Sequence, residues 1–395
     1  MIGSNLPAED RMRVLMAHNE YARPSGEEHA VQAIADLLGQ RGHDVRWFLR
    51  SSSDIHAARF GQVRAFFSGI YSIRSRLEMG RILDREKMDI VQVQNLYPLL
   101  SASVLLACRK RGVPVVMRCP NYRLFCPTGL HLSRGRICKR CVGGRVWWCV
   151  LRNCEGGLLK SIGYAVRTAA AGLTGMIVDN VNVFVVLSQF QRQRFIAGGI
   201  DPDRVEVLPN MVNTPPGEQE TRGDTIAFVG RLSPEKGIED FVKAARALPD
   251  CKFAVAGETS RMPDLVLRAP RNVEFHGFIE GRKLDDFFRN ARFLVFPSVW
   301  YEGFPNGVAR AMGLRKPVIA SRLGALPEIV DDGATGLLFE PGNADDLVEK
   351  IMHLWTHPDE CRAMGRAGYE KVKREYSPDR CYRKLLAIYE KARCS

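Results

Sequence analysis

The stretch TIAFVGRLSPEKGIEDFVKAARAL, residues 225–248, decides the fold. A short apolar run, TIAFVGR, reads as a buried strand. It breaks at a tight turn carrying Arg231 and Lys236, and a helix is expected from about Glu235 to Leu248. Strand, polar turn and helix in that order form half of a parallel β-α-β unit. The pattern repeats downstream through KFAVAGE, VEFHGF, a helix over KLDDFFRNA, FLVFPS, a helix after Gly307 and KPVIAS. Such alternation predicts a parallel sheet covered by helices on both faces.

The same rhythm precedes it. RVLMAHN (13–19) is an expected strand, followed by a helix reaching about Gln40, with Val31, Ile34 and Leu38 on one face. Glu27 and Glu28 fall in its first turn, where carboxylates suit the helix dipole. HDVRWFL, DIVQVQ, VPVVMR, VNVFVVLS and RVEVLPN continue as strands, with a helix near 101–111. The linker NMVNTPPGEQETRGD (210–224) is rich in Pro, Gly and polar residues and separates the two series. A chain of 395 residues suits two domains. The expected organisation is therefore 1–208 as a first Rossmann-like domain, with a cysteine-rich insertion at about 119–158, and 209–376 as a second. A terminal helix over 377–395 is expected to pack back on the first. The fold class is α/β, with two facing doubly wound domains and a ligand in the cleft between them.

Composition is globular, 46% hydrophobic and 26% charged. The most apolar segment, IGYAVRTAAAGLTGMIVDNVNVFVVLS, is broken by Arg167 and Asp179, so no membrane-spanning helix is expected. The first residues, MIGSNLPAEDRMRVLMAHN, do not read as a signal peptide, and a cytoplasmic protein is the expectation. Charge is unevenly spread. Residues 1–210 hold 29 Lys+Arg against 17 Asp+Glu, residues 211–360 hold 18 against 23, and residues 361–395 hold 10 against 4. From Val91 to Cys154 there are 11 basic residues and no acidic one. A solvated basic face is one reading. An anionic partner for the N-terminal half is the other: a membrane surface, a nucleic acid or a phosphorylated acceptor.

In the second series, three turns after strands carry reactive groups. FVGRLSPEKG supplies Gly230, Arg231 and Lys236; FPSVWYEGFPNG supplies Glu302, Asn306 and Gly307; SRLGALPEIVDDGATGLLF supplies Gly324 and Glu328. Two cations and helix-start amides suit a leaving diphosphate, whose negative charge grows as a glycosyl bond breaks. Glu302 can accept hydrogen bonds from sugar hydroxyls.

These motifs resemble glycosyltransferase family 4, the retaining group 1 enzymes of GT-B fold. The marks are GR…KG at 230–237, EGFP at 302–305 and PVIASRLGALPEIVDDGATGLLF at 317–339, with YARPSGEEHAVQAIADLLGQRGHDV, NYRLFCPTG and PN (209–210) in the first domain. The resemblance covers nearly the whole chain. It implies hexose transfer from a nucleotide diphosphate sugar to a lipid-linked or polysaccharide acceptor, without a metal in the transfer step. It also implies that Arg231 and Lys236 bind the diphosphate, Glu302 the sugar, and amides near Asn306 and Gly307 sugar or phosphate, while Ser25–Gly26 close over the donor. The triplet Asp201-Pro202-Asp203 reads as a helix-to-strand turn rather than a metal site.

The chain departs from the family in places. The family's second glutamate, with seven residues between it and the first and gripping ribose, is here Arg310, which has no acceptor atom and is expected either to reach a donor phosphate or to swing out as a surface residue. Losing one charged contact costs roughly 1.5–3 kcal/mol. Relatives often carry histidines in the strand VQVQN and before NYR; this chain has Gln92, Gln94 and Pro120. An altered donor or acceptor is one expectation. A catalytically degenerate relative that binds a sugar or nucleotide, or supports a partner enzyme, is the alternative.

Five of the 11 cysteines lie between 126 and 154. Cys126, Cys138, Cys141 and Cys154, spaced C-x11-C-x2-C-x12-C, suit a closed structural zinc site, with His131 and Cys149 as spare ligands. Reduced thiols without metal are the other reading. Similar insertions occur in the family branch that the chain resembles. Trp147-Trp148 and the basic run suggest peripheral membrane contact, as does the segment 59–87, which reads as a helix with aromatics among arginines (Phe60, Phe66, Phe67, Tyr71); packing of those aromatics in the core is the other reading. No RNA-recognition signature is present, and nucleic acid is not the expected partner.

Overall fold

The computed structural model describes residues 11–21, 26–52, 61–214 and 223–395. Two compact units emerge. The first comprises residues up to His131, Cys138–Pro209 and Cys381–Ser395; the second comprises Leu132–Ile137 and Asn210–Arg380.

The first unit is built on strands β1 (Arg13–Glu20), β2 (Asp44–Ser51), β3 (Ile90–Asn95) and β4 (Val115–Arg118). The small hairpin β5 (Leu132–Ser133) and β6 (Arg136–Ile137) comes next in the chain, and β7 (Val183–Val186) and β8 (Val205–Val207) complete the sheet. The sheet order is β2-β1-β3-β4-β7-β8, every pair parallel. Its helices are α1 (Gly26–Gln40), α2 (Gly61–Ile70), α3 (Ile73–Arg85), α4 (Ser103–Lys110), α5 (Trp147–Leu151), α6 (Leu158–Leu173) and α7 (Gln189–Ala197). Strands β3, β4 and β7 are buried throughout, as expected for a parallel sheet covered on both faces.

One expectation changes here. The aromatic, arginine-rich segment 59–87 read as one helix, but α2 and α3 are separate. Ser72 lies between them in an extended conformation and its hydroxyl accepts the Ser75 amide at 3.3 Å, which starts a new helix. Phe60 lies outside the described residues.

The second unit contains β9 (Thr225–Val229), β10 (Lys252–Ala256), β11 (Val273–Phe275), β12 (Ala291–Phe296), β13 (Val318–Ser321) and β14 (Gly336–Phe339). They form a parallel sheet in the order β11-β10-β9-β12-β13-β14. Helices α8 (Ile238–Ala247), α9 (Pro263–Leu267), α10 (Gly281–Asn290), α11 (Asn306–Gly313), α12 (Leu326–Ile329), α13 (Ala344–Thr356) and α14 (Pro358–Glu375) cover it. Phe228, Phe241, Phe253 and Phe293 centre the core, with Phe241 edge-on to Phe253 at 5.2 Å. Each such side chain contributes roughly 1.5–3 kcal/mol on burial. Strand order reverses between β9 and β12, and the crevice beyond the carboxyl ends at that reversal is where open α/β sheets bind ligands.

The final helix, α15 (Pro378–Arg393), buries Cys381, Leu385, Ile388 and Tyr389. From Cys381 it belongs to the first unit. There the Tyr389 hydroxyl donates to Gln92 Oε1, and Tyr382 Oη lies 2.8 Å from His43 Nε2. Among the described residues, no helix is long and apolar enough to cross a membrane.

Candidate active site

Three loops of the second unit meet where the sheet reverses. After β9 the chain does not enter a helix at Glu235. It makes one tight turn over Pro234–Lys236, and Gly237 takes a left-handed φ of 71° before α8 begins. A Cβ at Gly237 would lie 1.8 Å from the Pro297 carbonyl oxygen, so only glycine lets this turn pack on the loop after β12. That close approach brings Lys236 to Glu302.

Lys236 Nζ lies 2.6 Å from Glu302 Oε1. The same oxygen accepts Ser298 Oγ at 3.0 Å and Trp300 Nε1 at 2.8 Å. Three donors therefore converge on one oxygen of a buried carboxylate, leaving Oε2 for another hydroxyl. The Lys236 ammonium also lies 5.2 Å from the Trp300 ring centroid and 5.6 Å from that of Phe296. Arg231 is half exposed, 3.4 Å from Glu235, whose Oε1 also accepts Ser233 Oγ at 2.7 Å. Its guanidinium stays on the solvent side of the turn, available to an anion. Gly230 donates its amide to Ala256 O at 3.0 Å, holding the turn to β10.

Asn306 and Gly307 open α11, whose first-turn amides have no carbonyl four residues back. Asn306 Oδ1 accepts Asn210 Nδ2 at 2.5 Å. Gly324, at φ 62°, brings the turn after β13 within 3.3 Å of Tyr301 Cα, as measured from a Cβ built on it, and so backs the loop that holds Glu302. Glu328 accepts Lys371 Nζ on its carbonyl oxygen at 2.9 Å, so its backbone anchors α14.

Arg310 faces elsewhere. Its Nε and Nη2 lie 2.8 and 2.7 Å from Asp285 Oδ1 on α10, and Nη2 donates to Gly281 O at 3.1 Å. It is held in an ion pair at the edge of the unit. Sequence spacing gave no hint of Asp285, 25 residues upstream, nor of Ser298 as a donor to Glu302. Trp300 was at least adjacent to the EGFP motif.

In the first unit, Gly26 is the exposed first residue of α1, and Ser25 lies outside the described residues. Gln94 and Pro120 line one small cavity, whereas Gln92 is occupied by Tyr389. The Asp201 carboxylate accepts its own Asp203 amide at 2.9 Å and so caps a turn.

The cysteines of the insertion are reduced. Burial pushes the Cys141 thiol up to about 12, and neighbouring Cys126, Cys154 and Cys138 add to the shift. Burial also pushes Cys149 far up, with Cys154, Cys141 and Cys126 adding. Cys149, expected only as a spare, is thus as central to the cluster as Cys138. His131 is buried, with Nδ1 3.1 Å from Cys138 O and its ring 4.7 Å from that of Tyr122. Burial lowers its pKa to about 4, so the ring is neutral at pH 7. Among the described residues, three metal-ligand atoms within 4.8 Å of one another occur at the half-buried His353 and the exposed His357 and Glu360, and not among the thiols.

Two family models match this chain. Residues 25–211 match a glycosyl transferase 4-like domain, and residues 223–357 match glycosyl transferases group 1. An uncharacterized glycosyltransferase of Methanocaldococcus jannaschii is 35% identical over 41% of this chain and 47% of its own length. The alpha-maltose-1-phosphate synthase of Mycolicibacterium smegmatis is 30% identical over 49% of this chain and 58% of its own. The chain thus spans about half the length of these curated relatives. Among solved structures, sucrose-phosphate synthase from Thermosynechococcus elongatus superposes with a TM-score of 0.72 at 17% identity, over 96% of this chain and 99% of that one. Anabaena HepE, solved with UDP and glucose, superposes at 0.68 and 15% identity, over 96% and 100%. These likenesses show two Rossmann-like parallel-sheet domains of GT-B type.

Proposed function

As a member of the group 1 glycosyltransferases, the chain, we propose, is a retaining enzyme that moves a hexose-type sugar from a nucleotide diphosphate sugar to a lipid-linked or polysaccharide acceptor. One observation carries the reading: Lys236 and Glu302 form a buried pair at the sheet reversal of the second unit, with an exposed arginine on the same turn. In this reading Lys236 and Arg231 stabilise the leaving diphosphate, where negative charge develops. Glu302 Oε2 accepts a sugar hydroxyl and fixes the ring, and the first amides of α11 take a further oxygen. The transfer needs no metal. Names of relatives such as alpha-maltose-1-phosphate synthase, and the UDP and glucose in HepE, agree with a saccharide substrate and a nucleotide donor.

The test is thermal stabilisation by UDP, GDP, ADP, TDP and their sugar conjugates. A ligand at about 100 times its dissociation constant adds roughly 2.7 kcal/mol. One nucleotide is expected to shift the melting temperature, and Arg231→Ala to lose most of that shift. No response to any of them would favour the catalytically degenerate alternative.

Membrane contact is part of the same proposal and places the protein at the cytoplasmic face of a membrane. Leu159 and Leu173 of α6 are 85% and 89% exposed, and Leu158, Val166, Trp147 and Leu151 are exposed nearby in the chain. Phe66 of α2 packs against Gly163 of α6, which joins the exposed Phe67 to this face. With the acid-free basic run over 91–154, the face suits anionic phospholipid. The protein is expected to co-sediment with phosphatidylglycerol vesicles, and Leu159→Ser/Leu173→Ser to weaken that binding about tenfold or more, as two buried leucines imply. Equal sedimentation of wild type and double variant would remove α6 from the contact.

We also propose that the thiol cluster holds one structural zinc. Cys126, Cys141 and Cys154 would be ligands, with Cys138 or Cys149 as the fourth.

A further inference from the structure

The first unit contains a small cavity beyond the carboxyl ends of β3 and β4. Its volume is about 40 Å³, several times what one water requires. It is lined by Gln94, Tyr97, Arg118, Pro120, Asn121 and Arg123, among others. The walls are fixed. Asn95 Nδ2 donates to Asn19 O at 2.8 Å, and Asn19 Oδ1 accepts the Leu99 amide at 2.9 Å, tying the end of β3 to β1. Gln191 Nε2 donates to Cys119 O at 2.7 Å, tying the end of β4 to α7.

The charge around this cavity is one-sided. Arg118 is 2% exposed. Arg123 donates to the Tyr21 hydroxyl at 3.0 Å and to Asn95 Oδ1 at 3.4 Å, both uncharged oxygens. Arg167 lies behind, stacked over Tyr97 and Tyr164 at 4.2 and 4.3 Å, and donates to Pro127 O at 3.4 Å. Glu27 reaches the group through the Tyr21 hydroxyl, which donates to it at 3.0 Å, and burial raises its pKa. Three guanidinium groups in a buried region face Glu27, which burial discourages from ionising, and, on the Arg167 side, Glu155, which is already paired with Lys160 at 2.9 Å. Buried charge of this kind calls for an anion. Gln94, 3% exposed, presents Nε2 with no hydrogen-bond partner, an unfilled donor in the wall of the same cavity.

We propose that this cavity binds a small oxyanion on the acceptor, a phosphoryl or carboxylate group, through Arg123 and Gln94, with Arg118 and Arg167 supplying the surrounding positive field. A fork of guanidinium donors matches either group. The proposal deepens the transferase reading and rests on it. Gln94 supplies a neutral amide donor and Pro120 a non-titrating wall, which suit an oxyanion across physiological pH.

The test uses the full chain, with inorganic phosphate and glucuronate as probes and UDP in parallel. Both oxyanions are expected to stabilise wild type and Arg231→Ala alike, and to stabilise Arg123→Gln and Gln94→Leu roughly tenfold more weakly in apparent affinity. Gln94→Leu replaces the amide with an apolar group of similar size, so a folding failure of Arg123→Gln leaves the test intact. Two acceptors then separate the sources: a polyprenyl-diphosphate-linked saccharide and an oligosaccharide ending in a uronic acid. The one used is expected to lose about tenfold in kcat/KM, through KM, in Gln94→Leu. Equal stabilisation of wild type and both variants, no oxyanion binding by wild type, or equal use of a neutral saccharide would overturn the proposal. A retained UDP response in those cases leaves the donor reading standing; a lost UDP response with oxyanion binding intact removes the donor reading instead.

Discussion

Lys236→Ala is expected to lower kcat for sugar transfer by about 100- to 1000-fold, the usual effect of deleting one charged donor from a site of developing negative charge. It should also destabilise the fold. Lys236 and Glu302 are 14% and 6% exposed in their side chains, so removing the lysine leaves a buried carboxylate without its counter-charge. Breaking such a pair costs about 3–5 kcal/mol. Ser298 and Trp300 still donate to Glu302 Oε1, which places the loss at the low end. The two effects separate in a double variant. Glu302→Gln in the Lys236→Ala background removes the stranded charge while keeping an oxygen for Ser298 and Trp300. Stability should largely return, by chemical denaturation, and kcat should not. A single variant with kcat within about tenfold of wild type would mean that Lys236 serves the fold and not the diphosphate.

The same pair shows how far the sequence could be read. The alternation of apolar runs and helices was enough for two parallel sheets, because a strand buried on both faces has no polar positions to disguise it. The site motifs were legible for a related reason: turns that carry Arg231, Lys236 and Glu302 are punctuated by Gly and Pro, whose backbone roles are local. What was not legible depended on long-range approach. Gly237 looked like part of a helix and is instead the left-handed residue that lets the turn meet Pro297. Arg310 was open between a phosphate and the surface until Asp285 appeared beside it from another helix. Nothing in the linear order of the cysteines gave Cys149 its place in the cluster, since C-x2-C spacing speaks only for Cys138 and Cys141.

That cluster carries the second large effect. Purified from a reduced, chelator-free preparation, the protein is expected to contain about one zinc per chain, and Cys141→Ser to lose it together with several degrees of melting temperature. Without metal, burial raises the pKa of Cys141 and Cys149, which leaves those two thiols neutral and inert at pH 7. Zinc reverses that logic, because the ion deprotonates its own thiol ligands. Ligand bonds of about 2.3 Å put tetrahedral sulfurs roughly 3.8 Å apart. No three of these sulfurs lie within 4.8 Å among the described residues, so binding requires side-chain rotation within the insertion. Cys126 and Cys154 have room for it: Cys126 Sγ contacts Thr128 Oγ1 at 3.3 Å, an exchangeable contact, and Cys154 is only partly buried. Cys138→Ser and Cys149→Ser then identify the fourth ligand, since only one of them should release the metal. Elemental analysis showing no zinc in wild type, with five thiols of the insertion reacting freely once the chain is unfolded, would make the cluster a plain apolar core, anchored by Cys141, Val146, Cys149 and Ala165.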